Sequence, residues 1–536
     1  MMIEQFIERP RKNEKDEAIQ YVKNLLIQAR EENRSEDIEK LEEIIRLLHT
    51  KKYGLVWEEH AEIVEEEMKT KIPVFIEDKN RKIVGNADSD EYNFLLEGDN
   101  LHSLHLLEKT HAGKIDVIYI DPPYNTGNKD FIYNDKIVDR TDGYSHSKWI
   151  SFMENRLKLA KELMSEKGII FISIDDNEQA QLKLLCNDIF GERNFIGQYI
   201  KQSKVGGGND SKFIVKEHEY CICYAKNINT APQMNIKHDE NYLKRYKELD
   251  EIGRYFWDTF ARPGLRNPII YDIIAPDGSV IHNGWIRSEE RFKKEYAEGK
   301  IRIIKKKNGE WSVQFKQYLN ENGKRPRSTT MDFGGTTEGD KEIKAIFGKK
   351  VFNYPKSVKY LSTLISTIND KNLIILDFFA GSGTTGHAVS QLNKEDGGNR
   401  KYILCTNNEN NICEEVTYKR LSNIQNDFPH NLKYYKTDFV DKTKFPNFTL
   451  EKELLKYVTP LVELEFGIDI SNPSVQIIIT EDQFKDLIQT GNLVKDSTIY
   501  LHPNVFLDAK EKQLLNDMGI STREIPDYFF GKDLWS

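Results

Sequence analysis

Between residues 91 and 200, and again from about 370 to 410, short apolar runs alternate with amphipathic patterns, and no other feature of the chain restricts its fold as strongly. NFLLEGD, IDVIYIDPP and GIIFISIDD have the length and the β-branched and aromatic content of strands. HSLHLLEKTH, SKWISFMENRLKLAKELMSEK and NEQAQLKLLCNDIF place apolar residues at helical spacing. Strand and helix in turn predict an α/β fold with a parallel sheet and ligands at the carboxyl ends of its strands. EHEYCICYAK reads as a further strand. The pattern then lapses through GGGNDSK, APDGS and GGTTEGD, and resumes at NLIILDFFAGSGTTGHAVSQL and RKYILCTNNE. Such a lapse predicts an insertion of small strands and loops.

A chain of 536 residues is too long for one core, so several domains are expected. Residues 1–90 are expected to be a helical N-terminal region, because EAIQYVKNLLIQAR and DIEKLEEIIRLLHT space apolar residues three and four apart. The sheet occupies 91–200 and 351–430 around an insertion at 201–350, and 431–536 reads as a C-terminal α/β region.

Composition removes several function classes. No apolar stretch reaches the roughly 20 residues that span a bilayer, and the charged N-terminus is unlike a signal peptide. Five scattered cysteines suit a reducing compartment, so a cytoplasmic protein without disulfides is expected. Alternation in EYCICYA puts Cys221 and Cys223 on one face of a buried strand, and no metal site is expected from them. The net charge of −9 is unevenly spread: residues 205–350 hold 27 Lys+Arg against 21 Asp+Glu, whereas residues 1–90 hold 16 against 22. The middle of the chain is thus the part suited to face a polyanion.

Two motifs carry chemistry. Asp121-Pro122-Pro123-Tyr124 stands at the end of the strand IDVIYI. Proline fixes its own φ and restricts the residue before it, so this turn can hold a carboxylate, a carbonyl and an aromatic ring in one geometry. Asp377-Phe378-Phe379-Ala380-Gly381-Ser382-Gly383-Thr384-Thr385 follows the strand NLIIL, and its glycines let a ligand approach the backbone. The string from Gly381 to Gly386 also satisfies a dinucleotide fingerprint, with Glu409 after the next strand as a ribose-binding acid. A phosphate loop is discounted, because His387 and Ala388 stand where lysine and a hydroxyl residue are needed. A nicotinamide or flavin oxidoreductase passes that test, but hydride transfer has no evident use for the double-proline turn.

The pairing of DPPY with FAGSGTT, in that order, resembles the β class of DNA amino-methyltransferases. LLEGDNLHSL, YNTGNKDFIYND, FISIDDNE, FGERNFI, HEYCICYAK, YPKSVKYL and LKYYKTDF resemble the modification (Mod) subunits of Type III restriction systems. The likeness covers roughly residues 91–440. It implies a Rossmann-like S-adenosylmethionine-dependent methyltransferase sheet with an inserted α+β target-recognition domain, to which the spacing in residues 1–90 adds a helical N-terminal arm. It also implies a homodimer, double-stranded DNA as substrate and a separate restriction-helicase (Res) partner. N6 of adenine is the implied target. N4 of cytosine, a solitary methyltransferase and a non-catalytic DNA-binding subunit stay open.

The chemistry assigns Asp121, Pro122, Pro123 and Tyr124 to catalysis. The Asp121 carboxylate and the Pro122 carbonyl accept the two N–H bonds of the amine, so that its lone pair aims at the methyl group. Tyr124 stacks on a base that has left the duplex. The resemblance implies a cofactor-binding set of Asp377, Phe379, Ala380, Gly381, Ser382, Gly383 and Thr384, with Glu409 on the ribose, Lys356 near the cofactor carboxylate and Asp99 close by. Arg254, Arg262, Arg266 and Arg287 are candidate DNA contacts, since arginine can read guanine bidentately or hold phosphate. The two turns are expected to face one another across a gap that a purine can bridge, and a structure with them on opposite sides of the molecule would refute the reading.

Overall fold

Apolar runs buried on both faces can satisfy their backbone groups only by pairing with one another, and that requirement builds the centre of this molecule. The computed structural model describes residues 14–32, 34, 37–38, 40–41, 44, 57–87, 89–127, 130–133, 136–138, 141–203, 212–262, 264–329, 333–444 and 453–525. Most of the expected second N-terminal helix (37–50) and most of GGGNDSK lie outside these residues. In chain order the strands are β1 (Lys71–Glu77), β2 (Asn93–Glu97), β3 (Ile115–Ile120), β4 (Met164–Ile174), β5 (Phe195–Gln202) and β6 (His218–Ala225). Then come β7 (Arg254–Thr259), β8 (Ile269–Ile274), β9 (Val280–Trp285), β10 (Ile301–Lys305) and β11 (Trp311–Tyr318) in the insertion, and β12 (Ile374–Asp377), β13 (Lys401–Thr406) and β14 (Asn431–Asp441) after it.

The central sheet has the order β1-β14-β2-β13-β12-β3-β4-β6-β5, with the two-residue strand Ile83–Val84 also on β14. From β14 to β4 every neighbouring pair is parallel, while β1 and β6 run antiparallel to their neighbours. The helices α1 (Glu14–Glu31), α2 (Ile63–Thr70), α3 (Asn100–His111), α4 (Ser145–Leu163) and α5 (Gln179–Cys186) precede the insertion. It and the second part of the core supply α6 (Glu289–Ala297), α7 (Thr336–Phe347), α8 (Val358–Ser366) and α9 (Thr384–Asp396). Alternation along β3 splits its side chains between two cores. Ile118 and Ile120 pack with Leu104, Trp149 and Leu157 of α3 and α4, whereas Val117 and Tyr119 pack with Tyr360 and Leu364 of α8. The expected α/β sheet, covered on both faces, is what forms.

The sheet is wider than the boundaries expected from sequence. β5 and β6 belong to it, so the core does not stop at residue 200, because both strands find partners at the edge beyond β4. β14 belongs to it as well, beyond the expected boundary at 430. KIPVFIE, inside the region expected to be helical, is the edge strand β1, paired with β14 from Lys71 to Glu77. Its buried run Ile72–Phe75 suits a strand better than a helix face.

The insertion has its own core of Phe260, Ile273, Trp285, Phe292, Ile301, Val313 and Phe315. A four-stranded sheet (Glu248–Leu249, β7, β11, β10), the hairpin β8-β9 and α6 make it an α+β unit. At the far end of the chain, α10 (Val458–Phe466) packs on the main core, and its buried Glu463 meets Lys433 of β14. β15 (Val475–Ile478), β16 (Thr498–Leu501) and β17 (Ser521–Glu524) then form a small parallel sheet with a separate core.

One buried cation joins three elements below the sheet's carboxyl edge. The fully buried Arg156 of α4 donates to Glu62, 2.6 and 3.1 Å away at the start of α2, and to Oδ1 of Asn100 at 2.6 Å in α3. Asn100 in turn donates to the Phe378 carbonyl at 2.7 Å. Replacing Arg156 by methionine would leave the buried Glu62 carboxyl without its cation. Arg156→Met is expected to cost about 3–5 kcal/mol, measured as a lower urea midpoint; an unchanged midpoint would contradict the role given to this ion pair.

Candidate functional site

β12 and β3 lie side by side, with Ile375 opposite Val117 and Leu376 opposite Ile118. Asp377 is therefore level with Tyr119, and Asp121 follows at the same end of the sheet. From this pair the chain winds outward to β13 on one side and to β4 on the other. Open α/β sheets bind ligands at such a reversal, beyond the carboxyl ends of the strands. Here the two turns share one cavity of about 80 Å³, lined by Tyr119, Asp121, Phe352, Tyr354, Lys356, Leu361, Asp377, Phe379, Ala380, Gly381, Ser382, Thr384 and Thr385.

The proline turn is held from several directions. Trp149 Nε1 donates to the Pro123 carbonyl at 2.7 Å, which engages the second of the two proline carbonyls. Tyr124 Oη donates to Asp121 Oδ1 at 2.9 Å, and Lys356 Nζ donates to Tyr124 Oη at 2.7 Å. The next residue, Asn125, has a left-handed φ of 56° and donates from Nδ2 to Glu178 Oε1 at 2.6 Å. His146 Nδ1 lies 2.6 Å from the same oxygen. Glu178 is fully buried, and burial pushes its carboxyl up to about 7 although Asn125 and His146 favour the ionised form.

The glycine turn closes on its own aspartate. Asp377 is 2% exposed, accepts the Phe379 N–H at 3.0 Å on Oδ1, and accepts the Thr385 hydroxyl on Oδ2. Burial pushes this carboxyl up to about 7 against those two hydrogen bonds. Gly381 and Gly383 adopt φ of 48° and 74°, where a side chain is strained, and a Cβ on Gly383 would lie 3.0 Å from Thr417 Cγ2. Thr417 Oγ1 donates to the Gly381 carbonyl at 2.6 Å, and the buried Arg420 donates to Thr384 Oγ1 at 2.8 Å and Ser382 Oγ at 3.2 Å.

Lys356 lines the cavity, and its ammonium lies among oxygens of this chain: Tyr124 Oη, Glu219 Oε2 at 2.8 Å and Asp121 Oδ1 at 3.3 Å. Burial works against its charge, but Asp121 and Glu219 raise its pKa well above the ordinary lysine value. Asp121 is shifted upward, by burial first and by Glu219, with Lys356 opposing. Of the expected residues, Pro122, Pro123, Tyr124, Gly383, Asp99 and Glu409 do not line the cavity. Asp99 caps α3 by accepting the Leu101 N–H at 2.8 Å, and the exposed Glu409 begins a single turn after β13.

The four arginines lie in the insertion and none lines the cavity. Arg254 pairs with Glu321 at 3.4 Å and Arg262 with Asp258 at 2.8 Å, both from exposed positions, and Arg266 is exposed. Arg287 is largely covered, paired with Glu295 and laid over the Phe315 ring at 4.0 Å. Sequence reasoning missed Glu178, Glu219, Lys201 and Arg420. The first two sit inside the quoted runs FISIDDNE and HEYCICYAK, but nothing local distinguishes them from ordinary surface acids.

Glu178 makes stability depend on pH. Its folded-state value, about 7, lies above its ordinary 4.5, so the folded chain binds an extra proton between those values and loses stability as pH rises across them. His146 and Asp175 are the titratable groups that face it. Glu178→Gln is expected to remove roughly 3 kcal/mol of that loss, read from urea unfolding at pH 5 and pH 8. Equal slopes in wild type and variant would mean that this carboxyl does not titrate in that window.

The profile of the DNA methylase family matches residues 115–418, which spans both turns and the insertion between them. The StyLTI Mod subunit of a Type III restriction-modification enzyme from Salmonella typhimurium is 36% identical over 368 residues, 63% of this chain and 56% of that protein. The Type II methyltransferase M.KpnI of Klebsiella pneumoniae is 34% identical over 386 residues, 64% of this chain and 90% of that protein. The Mod subunit of the Type III enzyme EcoPI from Escherichia phage P1 is 30% identical over 437 residues, 69% of this chain and 66% of that protein. The chain therefore spans little more than half of the StyLTI subunit and about two thirds of the EcoPI subunit. With both turns at one cavity and this family match around them, the chain belongs to the DNA methylases.

Proposed function

We propose that the protein transfers the methyl group of S-adenosylmethionine to the N6 amine of adenine in double-stranded DNA, as the modification subunit of a Type III restriction system. The observation that carries this reading is the cavity in which Asp121, the first residue of the proline turn, meets Asp377, Phe379, Ala380, Gly381, Ser382 and Thr384 of the glycine turn. The cavity residues fit the cofactor. Phe352, Tyr354 and Phe379 offer aromatic surface for a purine and a sulfonium, and Gly381 lets the ligand meet backbone. Asp377, Phe379, Ala380, Gly381, Ser382, Gly383 and Thr384 would hold it, and when bound it supplies an activated methyl group.

The chain's own work is to localise a lone pair. An aryl amine is a weak nucleophile because its lone pair is delocalised into the ring. Two acceptors placed on its two hydrogens favour the pyramidal form. With the Pro123 carbonyl engaged by Trp149, the carbonyl of Pro122 is the acceptor that completes the pair with Asp121. The methylated nitrogen carries one proton too many, and Asp121 is the base in place to receive it. The Tyr124 ring, fixed through its hydroxyl, provides the stacking surface for a base swung out of the duplex.

The Mod subunits among the relatives support the Type III assignment, and a homodimer, a restriction-helicase partner and a cytoplasmic setting are proposed along with it. No helix among the described residues is long and apolar enough to cross a membrane. The inserted unit is proposed to read the target sequence, with Arg254, Arg262 and Arg266 at its DNA surface. Arg287 serves the packing of that unit.

Asp121→Ala is expected to abolish methyl transfer while the affinity for S-adenosylmethionine, measured by calorimetry, stays within twofold; retention of a tenth of wild-type activity would contradict the proposed role. Asp377→Ala should instead weaken cofactor binding. Exchanging the insertion for that of a relative is expected to change the methylated sequence, as read by sequencing modified DNA, and a chimera that keeps the parent's site would refute its role.

A further inference from the structure

Behind the proline turn lies a line of four alternating charges that the mechanism above uses only at one end. Asp121, Lys356, Glu219 and Lys201 follow one another, the last two directly opposite each other on β5 and β6. Lys201 is 2% exposed, lies 3.6 Å from Glu219 Oε2 and sits over the Tyr360 ring at 4.9 Å. Lys356 is 9% exposed and Glu219 17%. Two ammonium groups and two carboxylates thus balance at a site meant to receive a cationic sulfonium.

The Lys356 ammonium donates hydrogen bonds to Tyr124 Oη and Glu219 Oε2, and it forms an ion pair with Asp121 Oδ1 at 3.3 Å. Tyr124 also engages Oδ1 of Asp121, so among the described residues neither contact falls on Oδ2. Without the Glu219 charge, Lys356 would have Asp121 as its remaining anionic partner and would be drawn across both of its oxygens. The amine of the target base would then compete with a cation for its acceptor. We propose that Glu219 is a positioning residue for methyl transfer: by holding the Lys356 ammonium from behind, it reserves Oδ2 of Asp121 for the target amine. This rests on the function proposed above. The neighbour on the other side, Lys201, fixes Glu219 from the opposite strand.

A plain alternative is that Glu219 only neutralises the buried Lys201. The two roles separate by substitution. Glu219→Gln keeps the shape and removes the charge, and it is expected to lower kcat at least tenfold while the dissociation constant for S-adenosylmethionine stays within twofold. Glu219→Asp, which keeps the charge, should recover part of the loss. In the double variant Lys201→Met with Glu219→Gln no buried cation remains for Glu219 to neutralise at that position, so recovery of kcat to within twofold of wild type would overturn the proposal, and persistence of the defect supports it. Retention of half the wild-type kcat by Glu219→Gln would also overturn it.

The wild-type protein in the same assay tests the parent reading: absence of its methyl transfer would fail that reading and leave this one to a direct measurement. Carbon-13 NMR titration of the Asp121 carboxyl in folded protein supplies it. Removal of the Glu219 charge lifts its direct repulsion of Asp121 and frees the ammonium to approach. The midpoint is therefore expected to move down in Glu219→Gln, and further than the same substitution moves it in a Lys356→Met background, where repulsion alone is lost. An unmoved midpoint, or an equal move in both backgrounds, would show that Glu219 does not govern the contact between Lys356 and Asp121.

Discussion

The parallel pairing of β12 with β3 is the constraint on which the site depends. It joins segments about 250 residues apart in the chain and brings two turns, neither of which forms a site alone, to one edge of a sheet. Backbone hydrogen bonds fix the register, so Asp377 and Asp121 cannot slide independently. The helices on the two faces hold the pair flat, with α3 and α4 on one side and α8 on the other. Asn100 then ties α3 to the glycine turn through the Phe378 carbonyl, so the fold's buried ion pair at Arg156 and the glycine turn belong to one connected unit.

Charge at this edge is set by which groups share burial. Asp377 is buried against the Thr385 hydroxyl and the Phe379 N–H, and Glu178 against Asn125 and His146, and both carboxyls rise to about 7. Glu219 is also covered, but two lysines meet it, and its carboxyl is held down to about 2. The contrast follows from desolvation opposing the charged form in all three and Coulomb attraction overcoming it in only one. Asp121 stands between these cases, pushed up by burial and by Glu219 and restrained by Lys356. In the role proposed for Asp121, the carboxylate accepts from an amine and must keep a lone pair unspent, and its charge state is set by neighbours rather than by the aspartate itself.

Much of this was legible in the chain. The alternation after residue 91 specified the sheet, because a period of two and a period near 3.6 are local properties. The turn residues were legible for the same reason: proline and glycine act through their own backbone angles, as Gly381 and Gly383 do at positive φ. The edges were less clear. KIPVFIE lay inside a region otherwise rich in helical spacing, and β5, β6 and β14 join the sheet by pairings whose partners are remote in sequence.

The sequence by itself determined the α/β class, the two turns and the acceptor groups they carry, since each follows from residue type and near-neighbour spacing. The tertiary structure decided which charges meet. Lys356, placed by resemblance beside a cofactor carboxylate, has its ammonium among Asp121, Tyr124 and Glu219, while Glu178 lies beneath Asn125 and Lys201 opposite Glu219. Such meetings depend on strand order and register across hundreds of residues, and an ion pair or hydrogen bond needs its partners within a few ångströms, so no local pattern in the chain can encode them in readable form.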